Sequence, residues 1–225
     1  MILLGSIVNG AAIAVGGFAG LFVGKLLPDR MQKTLMSALA LVVIGIAVPG
    51  ISDSQKPLVP ILSMVLGTVL GELLDLDSAL IRLGDWLQRK TGGRGKFTDG
   101  FVNSTMVFAV GAMSIMGALD SGLTGDHATL YAKSTLDGIT SIVYGSTMGA
   151  GVALSGVAVF LYQGLITLCA SFIAPFLSDV VIAEMKCVGS LLIIGLSFNM
   201  LGMTKIKVMN YVPAVFFPIL LCTFM

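Results

Sequence analysis

The sequence predicts an all-α, polytopic transmembrane helical bundle, and three observations carry that reading. The 225 residues are 56% hydrophobic and only 11% charged, against about 25% charged in an ordinary soluble domain. Mean hydropathy is +0.99, so too little polar surface exists to cover a soluble body of this size. The apolar residues gather into eight stretches near the length a helix needs to cross hydrocarbon, about 20 residues. They cover 4–26, 34–51, 57–75, 99–119, 128–149, 152–177, 181–201 and 207–224.

The first stretch follows no basic segment, so it is expected to stay as a span and not to be cleaved as a signal. Between the third and fourth, Leu76, Leu80, Leu83 and Leu87 recur at helical spacing beside Trp86, with Asp77, Arg82, Asp85, Arg89 and Lys90 interleaved. That pattern fits an amphipathic helix lying in the interface, or equally a cytoplasmic loop helix packed on the bundle. Thr91–Lys96 is glycine-rich and reads as a flexible linker. The chain is expected to be one membrane domain, 1–225. Within it, 1–75 and 152–225 form two repeat halves, 76–98 the amphipathic helix and linker, and 99–151 two central spans.

Basic residues set the orientation. With the N-terminus outside, the cytoplasmic segments hold Lys25, Arg30, Lys33, Arg82, Arg89, Lys90, Arg94, Lys96, Lys205 and Lys207, ten of the thirteen. Lys56, Lys133 and Lys186 fall outside or within a span. Both termini are therefore expected on the outer side.

Two parts of the chain resemble each other. Leu41 to Ile46 (LVVIGI) matches Leu191 to Leu196 (LLIIGL), and Gly17 precedes Pro28 by the same interval as Gly164 precedes Pro175. Each copy continues through a polar loop into a proline-containing apolar stretch, with Pro57 and Pro60 in one and Pro213 and Pro218 in the other. Spans 1–3 then correspond to spans 6–8. Five crossings precede the second copy, which makes the repeat inverted, a construction common in secondary transporters. The alternative is coincidence, because glycine and branched aliphatic residues dominate every span.

Polar residues at membrane depth are the candidate functional groups. Asp137 lies about nine residues into span 5. Ser134, Asp137, Ser141 and Tyr144 or Gly145 share one helical face, and Lys133 stands within ion-pair reach of Asp137. Gly138 and Gly145 would let a helix or a solute approach. A purely structural Lys133–Asp137 pair near the outer interface is the competing reading. Gly45 and Gly195 occupy matching repeat positions, followed four residues later by Pro49 and Asn199. Interrupted helices there would offer backbone carbonyls and an amide to a cation or polar solute; ordinary helix ends are the alternative.

Asn9, Asn103, Ser104 and Gln163 are further polar groups at depth. Each alone reads as an interhelical hydrogen bond, and together they could line one path. Gly16, Gly20 and Gly24 form a stripe for close helix contact, with another span or with a second copy in a homodimer. Glu72, Asp75 and Asp77 read as a solvated helix end or an acidic vestibule; Asp120 and Asp126 flank an outer loop, and Asp126 can cap the helix that follows.

Several function classes find no support. A net charge of +1 gives no reason to expect nucleic-acid binding. No GxSxG, HExxH or Walker A motif occurs, so no enzymatic activity is expected. Cys169, Cys187, Cys222 and His127 show no metal-ligand or disulfide spacing, and no cofactor is expected.

Several segments carry a family resemblance: Val110–Gly117, Leu123–Asp126, Lys133–Gly138, Gly149–Val152, Tyr162–Gly164, Asn199–Gly202 and Asn210–Ala214. Together they resemble the YqgA/YdfK family of bacterial inner-membrane proteins, a domain of unknown function, over essentially the whole chain. The resemblance implies a bacterial cytoplasmic membrane and a helical fold, and supplies no substrate. The residues themselves point to a small-solute or ion transporter with inverted repeats, its path lined by Asp137, Ser141, Asn103, Gln163, Asn199 and Asn9. A non-transporting membrane scaffold or sensor partner is the alternative.

Overall fold

The computed structural model describes residues 1–92, 96–109 and 112–224. Among the described residues the chain is helical throughout, with no strand. In order come α1 (Leu4–Leu26), α2 (Asp29–Ser52), α3 (Leu58–Leu74), α4 (Leu76–Thr91), α5 (Phe97–Ala109), α6 (Ala112–Leu123), α7 (Ala128–Met148), α8 (Gly151–Leu168) and α9 (Ala170–Ile173). A short 3₁₀ turn, Ala174–Phe176, precedes α10 (Asp179–Met200); a 3₁₀ segment, Val208–Phe216, leads into α11 (Phe217–Phe224). The linker expected over 91–96 falls partly on 93–95, and the motif beginning at Val110 starts on 110 and 111; these positions, Arg94 among them, lie outside the described residues.

Fewer helices suit a bilayer than the eight expected. Leu4–Leu26, Arg30–Ser52, Gly151–Leu168 and Asp179–Met200 are long and apolar enough to cross one. Among the described residues the count rises to six if α3 with α4, and Phe97–Ala109 with Met113–Leu123, are each taken as one bent span. Two physical reasons explain the difference. α7 has the length, 21 residues, but its polar face lowers its hydropathy. The last stretch is divided, nine residues of 3₁₀ geometry around Pro213 and then eight of α-helix.

The helix breaks expected at Gly45, Pro49 and Gly195 do not occur. α2 runs unbroken through Gly45 and Pro49, and the Asp53 N–H still reaches the Pro49 carbonyl at 3.1 Å. α10 runs unbroken through Gly195 to Met200. One missing hydrogen bond, or a glycine costing about 1 kcal/mol, is small beside the penalty of unsatisfied backbone in lipid.

The contacts fall into two compact units. The first comprises 1–36, 81–109 and 113–174. Its centre is α1, which runs parallel to α7 and antiparallel to α8, with α5 against the α7–α8 turn. Asp126 Oδ1 accepts the Ala128 N–H at 2.9 Å and starts α7. Gly149, at φ 86°, ends it in a conformation that suits a residue without Cβ. Gly16, Gly20 and Gly24 all face α7 of the same chain: a Cβ at any of them would collide with Gly138, Ser141, Ile142, Gly145 or Ser146. α4 buries only Gly84, against Thr98 and Phe101 of α5, and leaves Ile81, Leu83 and Trp86 exposed, with the Lys90 ammonium 4.7 Å from the Trp86 ring centre.

The second unit is built mainly from 37–80 and from 175 onward. In it α3 packs antiparallel to the 3₁₀ segment, Gly67 against Ala214 and Gly71 against Asn210. The end of α2 touches the middle of α10, where Gly50 lies against Ser190, and Asp53 just beyond α2 pairs with Lys186.

Candidate functional site

Asp137 sits near the middle of α7, about 14 Å along its axis from Ala128 at 1.5 Å per residue. The face foreseen from its spacing is the buried one: Ser134, Asp137, Ser141, Tyr144 and Gly145 all turn inward. Lys133 and Asp137 are each 7% exposed. The Lys133 ammonium lies 3.0 Å from Asp137 Oδ1 and 2.9 Å from Oδ2, bridging the carboxylate. Two charges removed from water this far need each other: removing one partner of a buried pair typically costs about 3–5 kcal/mol, because the survivor stays buried alone.

The pair extends into a chain of amides. Asn9 of α1, wholly buried, directs its Nδ2 to Asp137 Oδ2 at 3.1 Å and to Gln163 Oε1 of α8 at 3.2 Å. Gln163, also wholly buried, donates from Nε2 to Ser114 Oγ of α6 at 2.9 Å. Four helices, α1, α6, α7 and α8, thus contribute to one polar line through apolar packing. Both acceptors of the Asn9 nitrogen are fixed, and its Oδ1 is left buried with no hydrogen-bond partner. Such groups are rare, since a buried polar atom without a partner costs about 1–3 kcal/mol.

The other expected path residues fare differently. Ser141 lies one turn beyond Asp137 on the same buried face and donates to the Gly138 carbonyl at 2.8 Å. Asn103 of α5 contacts the Met148 sulfur at 4.0 Å, at the far end of α7 from the Asp137 cluster. Asn199 belongs to the second unit, where its amide organises its own turn. Its Oδ1 accepts from Thr204 Oγ1 and the Ile206 N–H, and its Nδ2 donates to the Ile206 carbonyl at 2.7 Å.

Sequence reasoning passed over Ser114, Glu184 and the amide of Asn210. A serine in an apolar helix gives no warning of its partner. Glu184 did give one, as a carboxylate five residues into an apolar helix. Wholly buried, it accepts three hydrogen bonds of 2.7 Å, from Ser54 Oγ and the N–H groups of Gln55 and Lys56. It thereby clamps the turn that enters α3. At the other end of α3, Asn210 accepts the Asp77 N–H at 2.7 Å and donates to Glu72 Oε2 at 2.5 Å. Among the described residues no three His, Cys, Asp or Glu side chains gather as a metal site would require.

A helical bundle with apolar crossing helices and a buried ammonium–carboxylate–amide line defines an integral membrane protein with a polar interior. Its family follows from comparison. The chain belongs to a protein family of unknown function, DUF554, whose pattern it matches over residues 4–223. It is 30% identical over 220 residues to the uncharacterized membrane protein YdfK of Bacillus subtilis, covering 96% of this chain and 94% of that one. It is 25% identical over 217 residues to the uncharacterized protein YqgA of Escherichia coli, covering 94% and 92%. No solved structure matches the chain.

Proposed function

We propose that this protein is a small-solute or ion transporter of the bacterial cytoplasmic membrane, with both termini outside and two halves related as inverted repeats. The observation that carries the reading is the Lys133–Asp137–Asn9–Gln163–Ser114 line. Ionisable groups at membrane depth are costly and mark pathways more often than not. The partnerless Asn9 oxygen adds an acceptor that helix packing alone leaves unused.

The helix pairing supports the repeat. α1 lies antiparallel to α8 in one unit; in the other, α3 lies antiparallel to the 3₁₀ segment, and the end of α2 touches α10 at Gly50. These are the elements that the sequence repeat equates, and antiparallel pairing of equivalents is what a two-fold axis in the membrane plane produces. The reading assigns the chain a lipid bilayer and a small polar solute or ion as partners, with no catalytic activity, cofactor or nucleic acid. Because α7 occupies the Gly16–Gly20–Gly24 stripe, a homodimer would use another face.

The test is an uptake screen in proteoliposomes, with Asp137→Asn as the control. The reading expects a transported solute whose uptake the substitution abolishes. Equal uptake by the variant would remove Asp137 from the path. One observation favours the alternative, a non-transporting scaffold: α1 and α7 touch backbone to backbone along the stripe, as in a rigid support. A scaffold gives no uptake of any solute and leaves Asp137 unreactive to carbodiimides.

A further inference from the structure

We infer that the Asp137 site takes a monovalent cation of alkali-metal type, held between the Asn9 amide oxygen and the Asp137 carboxylate in competition with the Lys133 ammonium. The inference rests on the transport reading and names its substrate class. Lys133 already satisfies the carboxylate as a bound cation would, bridging both oxygens at 2.9 and 3.0 Å without reaching Asn9 Oδ1. Its charge is carried on a flexible four-carbon stem from a residue one turn nearer the α7 start. An incoming ion that replaces it leaves the net charge of the site unchanged. No bond to a proton need break, because the ammonium swings aside intact.

Asn9 supplies the second ligand. Its Nδ2 is committed to Asp137 and Gln163, which fixes the amide plane and leaves Oδ1 buried without a partner. Carbonyl-type and carboxylate oxygens are the ligands that hard cations select. A divalent ion would ask for several carboxylates, and this cluster holds one. An anion would meet Asp137. A neutral solute could donate to Asn9 Oδ1 but would leave the carboxylate uncompensated once Lys133 moved.

The test is an equilibrium one and needs no transport. The full-length chain is purified in detergent and melted in sodium or potassium chloride against N-methylglucamine chloride at equal ionic strength. Lys133→Met, which removes the internal competitor, is expected to be stabilised by one of the two ions with an apparent affinity at least about ten-fold tighter than wild type. Adding Asn9→Ala should weaken that affinity by about ten-fold again, and Asp137→Asn should abolish the response. A Lys133→Met protein indifferent to both ions overturns the inference, as does full affinity without the Asn9 amide. If Lys133→Met does not purify folded, radiolabelled sodium and rubidium binding to the wild-type chain and to Asn9→Ala replaces it, and equal binding overturns the inference. Asp137-dependent uptake of a neutral solute without cation binding would sink this inference alone; cation binding without any uptake would sink only the transport reading.

Discussion

Gly10 of α1 and Gly156 of α8 face each other reciprocally: the carbonyl oxygen of each fills the space where a Cβ on the other would stand. The two glycines thus share a single close backbone approach between antiparallel helices. Gly10→Ala and Gly156→Ala should therefore cost similar amounts, about 1–3 kcal/mol each. The double substitution should depart from additivity, because the sites share one contact. Unfolding in mixed detergent micelles measures all three.

The glycines of this chain divide by what surrounds them. Gly20→Ala would drive a methyl into the α7 backbone and should cost about 1–3 kcal/mol. Gly45 has nothing within 4 Å of the corresponding position, so Gly45→Ala should be neutral or stabilise α2 by about 0.5–1 kcal/mol. Parallel melting curves decide it, and equal losses at both would refute the packing described for α1.

The Lys133–Asp137 pair yields a cycle. Without added alkali cations, Lys133→Met and Asp137→Leu should each cost about 3–5 kcal/mol, since each strands a buried charge. Lys133→Met/Asp137→Leu should cost less than either single change. A double variant as damaged as the sum of the singles would mean that the two charges do not depend on each other.

Glu184 makes a local prediction. Glu184→Gln keeps the shape but removes the charge that three donors share, and should cost about 1.5–3 kcal/mol. Amide exchange at Gln55 and Lys56 should accelerate more than elsewhere, as seen by mass spectrometry of the α2–α3 peptide. Unchanged protection there would show that the turn is held by something else.

The proposed orientation predicts labelling. In a cysteine-free background, Gln55→Cys should react with an impermeant maleimide on intact cells, and Lys205→Cys only after permeabilisation. Both side chains are exposed, so the reverse pattern would invert the topology.

What the sequence disclosed follows from which forces are local. The buried face of α7 and the α1 glycine stripe were readable because helical periodicity alone brings those residues into register. The ammonium four residues before Asp137 was readable for the same reason. Pro49 misled, because a proline's effect depends on whether the medium rewards an unbroken helix, and lipid does. Asn199 misled because its partners, Thr204 and Ile206, belong to a turn whose path no periodicity predicts. Ser114 and Asn210 act through residues 49 and 138 positions away, a separation that only the folded chain closes.

The seam between α1 and α7 has a mechanical consequence. Where Gly16, Gly20 and Gly24 bring main chain against main chain, little side-chain bulk stands between the two helices to yield, so that stretch resists sliding. The proposed transport route then draws its movement from other contacts of the Asp137 line, the Gln163–Ser114 hydrogen bond between α8 and α6 among them.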